Sequence, residues 1–322
     1  MSRSTTSTSS TVSSGSRLST DERPGLSSPD KQLWPQVGLT KADLWDYYTA
    51  VSGRLLAAVA DRPLTLKRYP NGVGKQGFFQ KNLGDDVPDD LARFSTWTET
   101  SERDVSYLLA RSVRELQWAA QMAVVELHAW LATTDRPDRP DTLLFDLDPS
   151  SIDQSVTTVA LWLRELLDEL DLPARVKSSG KRGLHVTVRL ERRYGFTDVR
   201  GFALAVARCL ADRHPGELTV EMRKADRGGR LLIDWSRHGQ GQHTVAAWSP
   251  RATPTATVSA PLSWDEVEAG VDPSTITLRT ALDRPDHWAE PADARRIEAA
   301  RDQLERWGYP SVDRSPRART TT

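Results

Sequence analysis

Two aspartates one residue apart at the end of an apolar run constrain this chain more than any other feature. The run is "DTLLFDLDPS", Asp141 to Ser150. As a strand over Leu143–Leu147 it places Asp146 and Asp148 on one face, because side chains at i and i+2 point the same way. Like charges on one face repel unless a cation or cationic side chains lie between them. Other roles stay open at this point. Asp148 before Pro149 suits a turn, and Asp146 could cap a helix or pair with an arginine.

The rest of the chain must supply a fold around that strand. Residues 1–29 are Ser/Thr-rich and carry almost no large apolar side chains, which predicts a disordered tail. "TKADLWDYYTAVSGRLLAAVADR" has helical periodicity with Thr40 as N-cap. "LTLKRY" and "GFFQK" read as strands around the turn-rich "PNGVGKQ". "VSYLLARSVRELQWAAQMAVVELHAWLAT" reads as one or two long helices, with His128 near the end. After "LLFDLD" come the helix "SVTTVALWLRELLDEL", a strand pair around "ARVKSSGKRGLHVTVRL", the helix "TDVRGFALAVARCLADRH", and the strands "LTVEM", "RLLIDW" and "TVAAWS". Strands and helices alternate without a strict βαβ repeat. The expectation is a two-lobed α+β domain over residues 30–290, with mixed sheets flanked by helices, followed by a C-terminal helix and loose tail over 291–322.

Composition narrows the functional classes. The 322 residues carry a formal net charge of -1, so any nucleic-acid surface must be a local basic patch. The one cysteine, Cys209, excludes an internal disulfide and suits a reducing, cytoplasmic setting. It falls in an apolar helical pattern and reads as core. No stretch reads as a membrane span or a secretory signal.

Asp234 closes "GRLLID", a second acidic strand end. If its strand lies beside that of Asp146 and Asp148, the three carboxylates form a hard-oxygen site for two Mg²⁺ or Mn²⁺ ions. "KSSGKRGLH" reads as a phosphate element: Ser178, Ser179, Gly180 and Gly183 would let backbone amides crowd an anion, Lys177, Lys181 and Arg182 supply charge, and His185 follows. A plain hairpin with a solvated basic tip is the alternative. "KRYPNGVGKQGFFQK" sets Lys67, Arg68, Lys75 and Lys81 beside Phe78 and Phe79, as a base-stacking surface needs. Adjacent strand residues face opposite ways, so at most one phenylalanine can be core on a given face. His128 alone reads more readily as a satisfied, partly buried side chain.

Taken in order, "DKQLWP", "LTKADLWDYY", "RPLTLKRYPNGV", "GFFQK", "ELHAW", "DRPDTLLFDLDP", "SSGKRGLHV", "EMRKADRGGRLLIDW" and "VSAPLSWDEV" resemble the polymerase domain of bacterial ligase D, in the archaeo-eukaryotic primase superfamily. The likeness runs from about Asp30 to Asp265 and reads as a stand-alone version. It implies a primase-like fold and a template-directed nucleotidyltransferase working at gaps or broken ends in non-homologous end joining. It implies that Asp146, Asp148 and Asp234 bind two metal ions, Mn²⁺ or Mg²⁺. Ser179, Gly180, His185, His128, Lys67 and Arg251 would meet the nucleoside triphosphate. Phe78, Phe79 and Arg68 would meet primer-template DNA, and Lys31 and Lys41 a downstream 5′-phosphate. Ku and a separate DNA ligase are the protein partners the likeness suggests, and a nucleoid-associated cytoplasmic location follows from it.

The chain also departs from the family pattern. "WSRH" follows Asp234 where Y-x-Q-N is usual, Thr253 replaces an arginine, and Asp226 stands at a usually basic position. These changes weaken phosphate or template contacts, with Arg237 and His243 as compensating groups. Two other functions therefore stand beside gap filling: primer synthesis, and a DNA-end binding or bridging module with little or no polymerase activity.

Overall fold

The computed structural model describes residues 23–84, 87–98, 102–149 and 155–311. A short ribbon of β1 (Gln32–Trp34) and β2 (Leu39–Thr40) leads into α1 (Lys41–Ala50) and α2 (Ser52–Ala58). Thr40 caps α1 as expected. Its Oγ1 accepts from the Asp43 amide while the Asp43 carboxylate accepts from the Thr40 amide.

Next come β3 (Leu64–Arg68), β4 (Phe78–Gln80), β5 (Arg93–Thr98), β6 (Arg103–Leu108), α3 (Val113–Gln121) and β7 (Val124–Trp130). The long helices expected across this stretch are not there: only nine residues are helical. The "SVRE" box caps α3 through Ser112 and Glu115, and Ala123 takes φ +52, which stops the helix before β7. Every residue of β7 is buried. A strand buried on both faces carries no period-2 signal, so its apolar run passed for helix. His128 is therefore a strand residue.

The second half adds β8 (Thr142–Asp148), α4 (Val156–Glu169), β9 (Arg175–Ser178), β10 (Leu184–Arg189), α5 (Phe196–Arg213), β11 (Leu218–Thr219), β12 (Leu231–Asp234) and β13 (His243–Val245). It ends with β14 (Ser249–Pro250), β15 (Val258–Ser259), β16 (Pro261–Leu262), α6 (Trp264–Glu268) and α7 (Glu298–Arg306).

Two six-stranded sheets dominate this α+β fold. One runs β11-β12-β8-β10-β9-β16 and is mixed, with β11 and β12 parallel. The other runs β13-β7-β3-β6-β5, with β4 also on β3, and all its pairs are antiparallel. One apolar core spans both, from Trp34 and Tyr48 through Phe145 to Phe202, and Cys209 lies inside it. Among the described residues no helix is long and apolar enough to cross a membrane.

Residues 1–22 and 312–322, most of the expected tails, lie outside the described residues. From Arg23 the chain is anchored, against the expectation of a loose segment to residue 29. Arg23 is buried and forms a forked pair with Asp46 at 2.8 and 2.7 Å.

Candidate functional site

Register builds the acidic half of the site. Asp146 on β8 lies directly opposite Asp234 on β12 and His185 on β10, and His185 lies opposite Lys177 on β9. Directly opposed residues share a face. Asp234, Asp146, His185 and Lys177 thus form one row across four strands. Asp148, two residues beyond Asp146, is on the same face at the exposed strand end. The sequence reading of the aspartates as same-face neighbours holds.

The row is internally compensated. Arg237 Nε lies 2.9 Å from Asp234 Oδ2, and its Nη2 3.3 Å from Asp146 Oδ2. His185 Nε2 is 3.4 Å from Asp146 Oδ1. Burial opposes the Asp146 charge, but His185, Arg237 and Lys177 outweigh it and hold the carboxyl well below its ordinary range. Burial, then the Lys177 charge, pushes His185 down to about 4, so its imidazole is neutral. Lys177 is fully buried and donates to Ser259 Oγ at 2.6 Å. Burial, and then Arg251, lowers it to about 7 against the pull of Asp146.

Among the described residues no three acidic, histidine or cysteine groups stand together at metal-binding distance. Asp146 and Asp234 are drawn onto Arg237, and Asp148 faces solvent. The donors still fit a divalent cation: they are hard oxygens, and Asp146 is held ionised. The guanidinium already stands where a cation neutralises the pair.

A cradle of cations adjoins the row at the turn between β9 and β10. Gly180 takes φ +69, and a Cβ there would meet Arg251 Cγ at 2.5 Å and Ser259 N at 2.9 Å. At Gly183 a Cβ would lie 2.3 Å from the Leu147 carbonyl oxygen. Both positions therefore require glycine. The amides expected to crowd an anion close on the turn itself. Those of Lys181 and Gly183 donate to Ser179 Oγ at 3.3 and 3.2 Å, and that of Ser179 donates to the Gly183 carbonyl. Lys181, Arg182 and Arg251 bring side-chain cations to the same turn.

Arg251 donates to the Ser179 carbonyl and Thr257 to the Gly180 carbonyl, which ties the turn to the β14–β15 ribbon. Thr253, where a basic residue was expected, braces that ribbon through Thr257 at 2.7 Å. Asp226 pairs with Arg223 at 3.5 Å on an exposed turn.

Glu126 on β7 is the hub that the sequence reading missed. It accepts from His128 Nε2 at 2.9 Å and from the Ala252 amide at 3.1 Å, and faces Arg251 at 3.4 Å and Lys67 at 3.8 Å. Burial alone would raise its pKa. The His128 hydrogen bond and the Arg251 charge outweigh burial and bring it to about 2. A carboxylate only accepts, so His128 carries its proton on Nε2. Burial also lowers the pKa of His128, leaving it neutral. The available signal was a lone acid inside the apolar run "VVELHAW".

Beside this hub the β3–β4 hairpin presents its aromatics to solvent. Lys67 lies opposite Phe79 and Arg68 opposite Phe78. Their charges sit over those rings at 5.1 and 5.4 Å. Phe78 and Phe79 are 47% and 52% exposed, so neither serves the core. Phe79 also packs on His128 and His243, at 5.4 and 5.6 Å between centroids. Burial pushes His243 down to about 3, so it adds no positive charge here. Lys31 and Lys41 converge as well: the Lys41 amide donates to the Lys31 carbonyl. Burial, then the Lys31 charge, lowers the Lys41 pKa. Lys41 is not an open surface cation, because its Nζ is held by Ser27 O and Gln121 Oε1 at 2.8 Å each.

Paired acidic strand ends, a cation cradle and an exposed aromatic hairpin on two linked sheets define a primase-polymerase type of domain. A family model described as "LigD, primase-polymerase domain" matches residues 40–292, and the chain belongs to that family. It is 34% identical over 285 residues to the multifunctional non-homologous end joining protein LigD of Mycolicibacterium smegmatis, covering 85% of this chain and 36% of that protein. The bifunctional non-homologous end joining protein LigD of Bacillus subtilis is 29% identical, over 80% of this chain and 42% of its own length. The chain thus spans well under half of these curated relatives. The solved polymerase domain from Mycobacterium tuberculosis ligase D, in complex with DNA, superposes with a TM-score of 0.75 at 31% identity, covering 81% of this chain and 94% of that one.

Proposed function

We propose that this domain adds nucleotides to a DNA primer end, directed by a template, at gaps or breaks repaired by non-homologous end joining. One observation carries the reading: strand register sets Asp146 beside Asp234, with the Ser179–Gly183 cradle on the next turn of the same sheet. Asp146, Asp148 and Asp234 would hold Mg²⁺ or Mn²⁺. Such ions activate a hydroxyl nucleophile and stabilise the leaving oxygens of phosphoryl transfer.

The chain's own groups do the rest. Lys67, Lys181, Arg182 and Arg251 would attract and orient the triphosphate. Ser179 and Gly180 shape the turn beneath it. Neutral His128 and His185 would line the site without adding charge, with the His128 N–H kept on Glu126. Phe78 and Phe79 offer faces on which bases stack, with Arg68 beside them for the backbone. Lys31 would meet a downstream 5′-phosphate, with the charge of Lys41, whose Nζ is held by Ser27 and Gln121, behind it. Ku and a separate ligase would be the protein partners of such a domain.

A second reading keeps DNA-end binding without synthesis. Arg237 favours it, because a guanidinium sits on two of the three metal-binding carboxylates. Primer extension on a gapped duplex with a 5′-phosphate separates the two, using ribo- or deoxynucleotides with Mn²⁺ or Mg²⁺. The polymerase reading expects metal-dependent addition that the Asp146→Ala/Asp148→Ala protein loses while still binding DNA. No addition in any condition, with tight binding by both proteins, leaves the end-binding module.

A further inference from the structure

We propose that Arg237 is a tethered counter-ion: it holds the acidic row together before metal binds and must leave when metal enters. The inference rests on the reading of Asp146, Asp148 and Asp234 as metal ligands. Arg237 occupies Asp234 Oδ2 and Asp146 Oδ2 at 2.9 and 3.3 Å. Asp234 Oδ1 is already taken by Ser236, so a divalent ion shared by these carboxylates would compete with the guanidinium for Asp234 Oδ2.

The partners differ in their access to water. The Asp146 and Asp234 side chains are 18% and 7% exposed, while that of Arg237 is 46% exposed. Buried carboxylates need a cation beside them in every state. A half-exposed guanidinium can turn outward and stay hydrated.

The loop is built so that the side chain can move without the backbone. Asp234 Oδ1 accepts from the Ser236 amide at 2.9 Å and from its hydroxyl at 2.7 Å, which fixes the turn that carries Arg237. With its amide nitrogen turned toward the carbonyls, Gln242 donates to Ser236 O and Arg237 O at 3.0 and 3.1 Å. His238 pins the other end: its Nε2 accepts from the Leu144 amide on β8 at 2.9 Å, and its Nδ1 donates to Trp235 O. Only the Asp146 and Asp234 contacts hold the guanidinium inward among the described ion pairs of this loop.

Two consequences follow. The metal-free protein keeps its acidic row neutralised, and metal must compete with a built-in cation. Binding of Mn²⁺ to the full chain, without nucleotide or DNA, tests this through the electron paramagnetic resonance signal of the free ion. Arg237→Gln should tighten Mn²⁺ binding by tenfold or more. Arg237→Lys should tighten it less, because a point charge cannot fork across both carboxylates but still repels the ion. Asp146→Asn/Asp234→Asn should abolish the binding event.

Thermal melting gives the second readout. In chelator, Arg237→Gln should melt below the wild type; with saturating Mn²⁺ it should gain more than the wild type does. A role confined to packing would lower both melting points equally. Equal Mn²⁺ affinity in wild type, Arg237→Gln and Arg237→Lys, with binding still lost in the aspartate variant, overturns the counter-ion role alone. Mn²⁺ binding indifferent to Asp146→Asn/Asp234→Asn sinks the metal reading beneath it.

Discussion

The acidic row and the cation cradle adjoin each other but are closed differently. The row is a product of backbone register: one ladder of hydrogen bonds sets Asp234, Asp146, His185 and Lys177 in line. The cradle starts from one register pair, Lys67 opposite Glu126 on β3 and β7, and draws the Ser179–Gly183 turn and Arg251 onto it through side-chain contacts. A row set by the backbone can lose a side chain and keep its shape. A cradle set by side chains fails when its central residue goes.

The largest effect should come from that centre. Glu126→Leu leaves Arg251 and Lys67 without their buried partner, and breaking a buried pair from one side costs about 3–5 kcal/mol. Urea denaturation should show that loss. A change under about 1 kcal/mol would mean that the cradle is not organised by Glu126.

Glycine substitutions probe the seam between the two regions. Gly180→Ala combines the strain of a left-handed backbone with a clash against Arg251 and Ser259, about 2–4 kcal/mol together. Gly183→Ala presses on the Leu147 carbonyl of β8, and should lower stability and nucleotide affinity together. Nucleotide affinity unchanged in Gly183→Ala would show that row and cradle are mechanically independent.

Outside both regions, Phe78→Ala and Phe79→Ala should leave folding within about 0.5 kcal/mol, because both rings are exposed. Each should weaken primer-template binding by about 1–3 kcal/mol per stacked base. Fluorescence anisotropy with labelled duplex reads the second effect. Unchanged DNA affinity would remove the hairpin from the DNA surface.

The last test is a pH dependence. Burial holds His185 and His238 at about 4 and His243 at about 3 in the folded chain. Their unfolded values lie near 6.5, so unfolding takes up protons below that pH. Stability should therefore fall as pH drops from about 6.5 toward 4, by about 1.4 kcal/mol per pH unit for each proton taken up. Denaturant midpoints should decline from pH 6.5 through 5.5 to 4.5. No decline over that window would mean that these imidazoles are not buried neutral.

The same contrast explains what could be read in the sequence. Asp146 and Asp148 announced their shared face because strand alternation is a local rule. Thr40 announced α1 because capping is local too. Glu126 and His128 did not announce their strand, since burial on both faces of β7 erases its period and leaves an apolar run that mimics a helix. Lys67 meets Glu126 through the pairing of β3 with β7, and Arg251 joins them from a distant ribbon; no local spacing encodes either. The likeness to the ligase D polymerase domain named Arg251 and Lys67 but gave no reason for their convergence; the buried carboxylate supplies it.

The most direct test is anomalous diffraction at the manganese edge from crystals grown with Mn²⁺ and a non-hydrolysable nucleoside triphosphate. Manganese peaks within coordination distance of Asp146, Asp148 and Asp234, with Arg237 turned outward, are the predicted result. No manganese at these carboxylates, with Arg237 still across Asp146 and Asp234, would contradict the account.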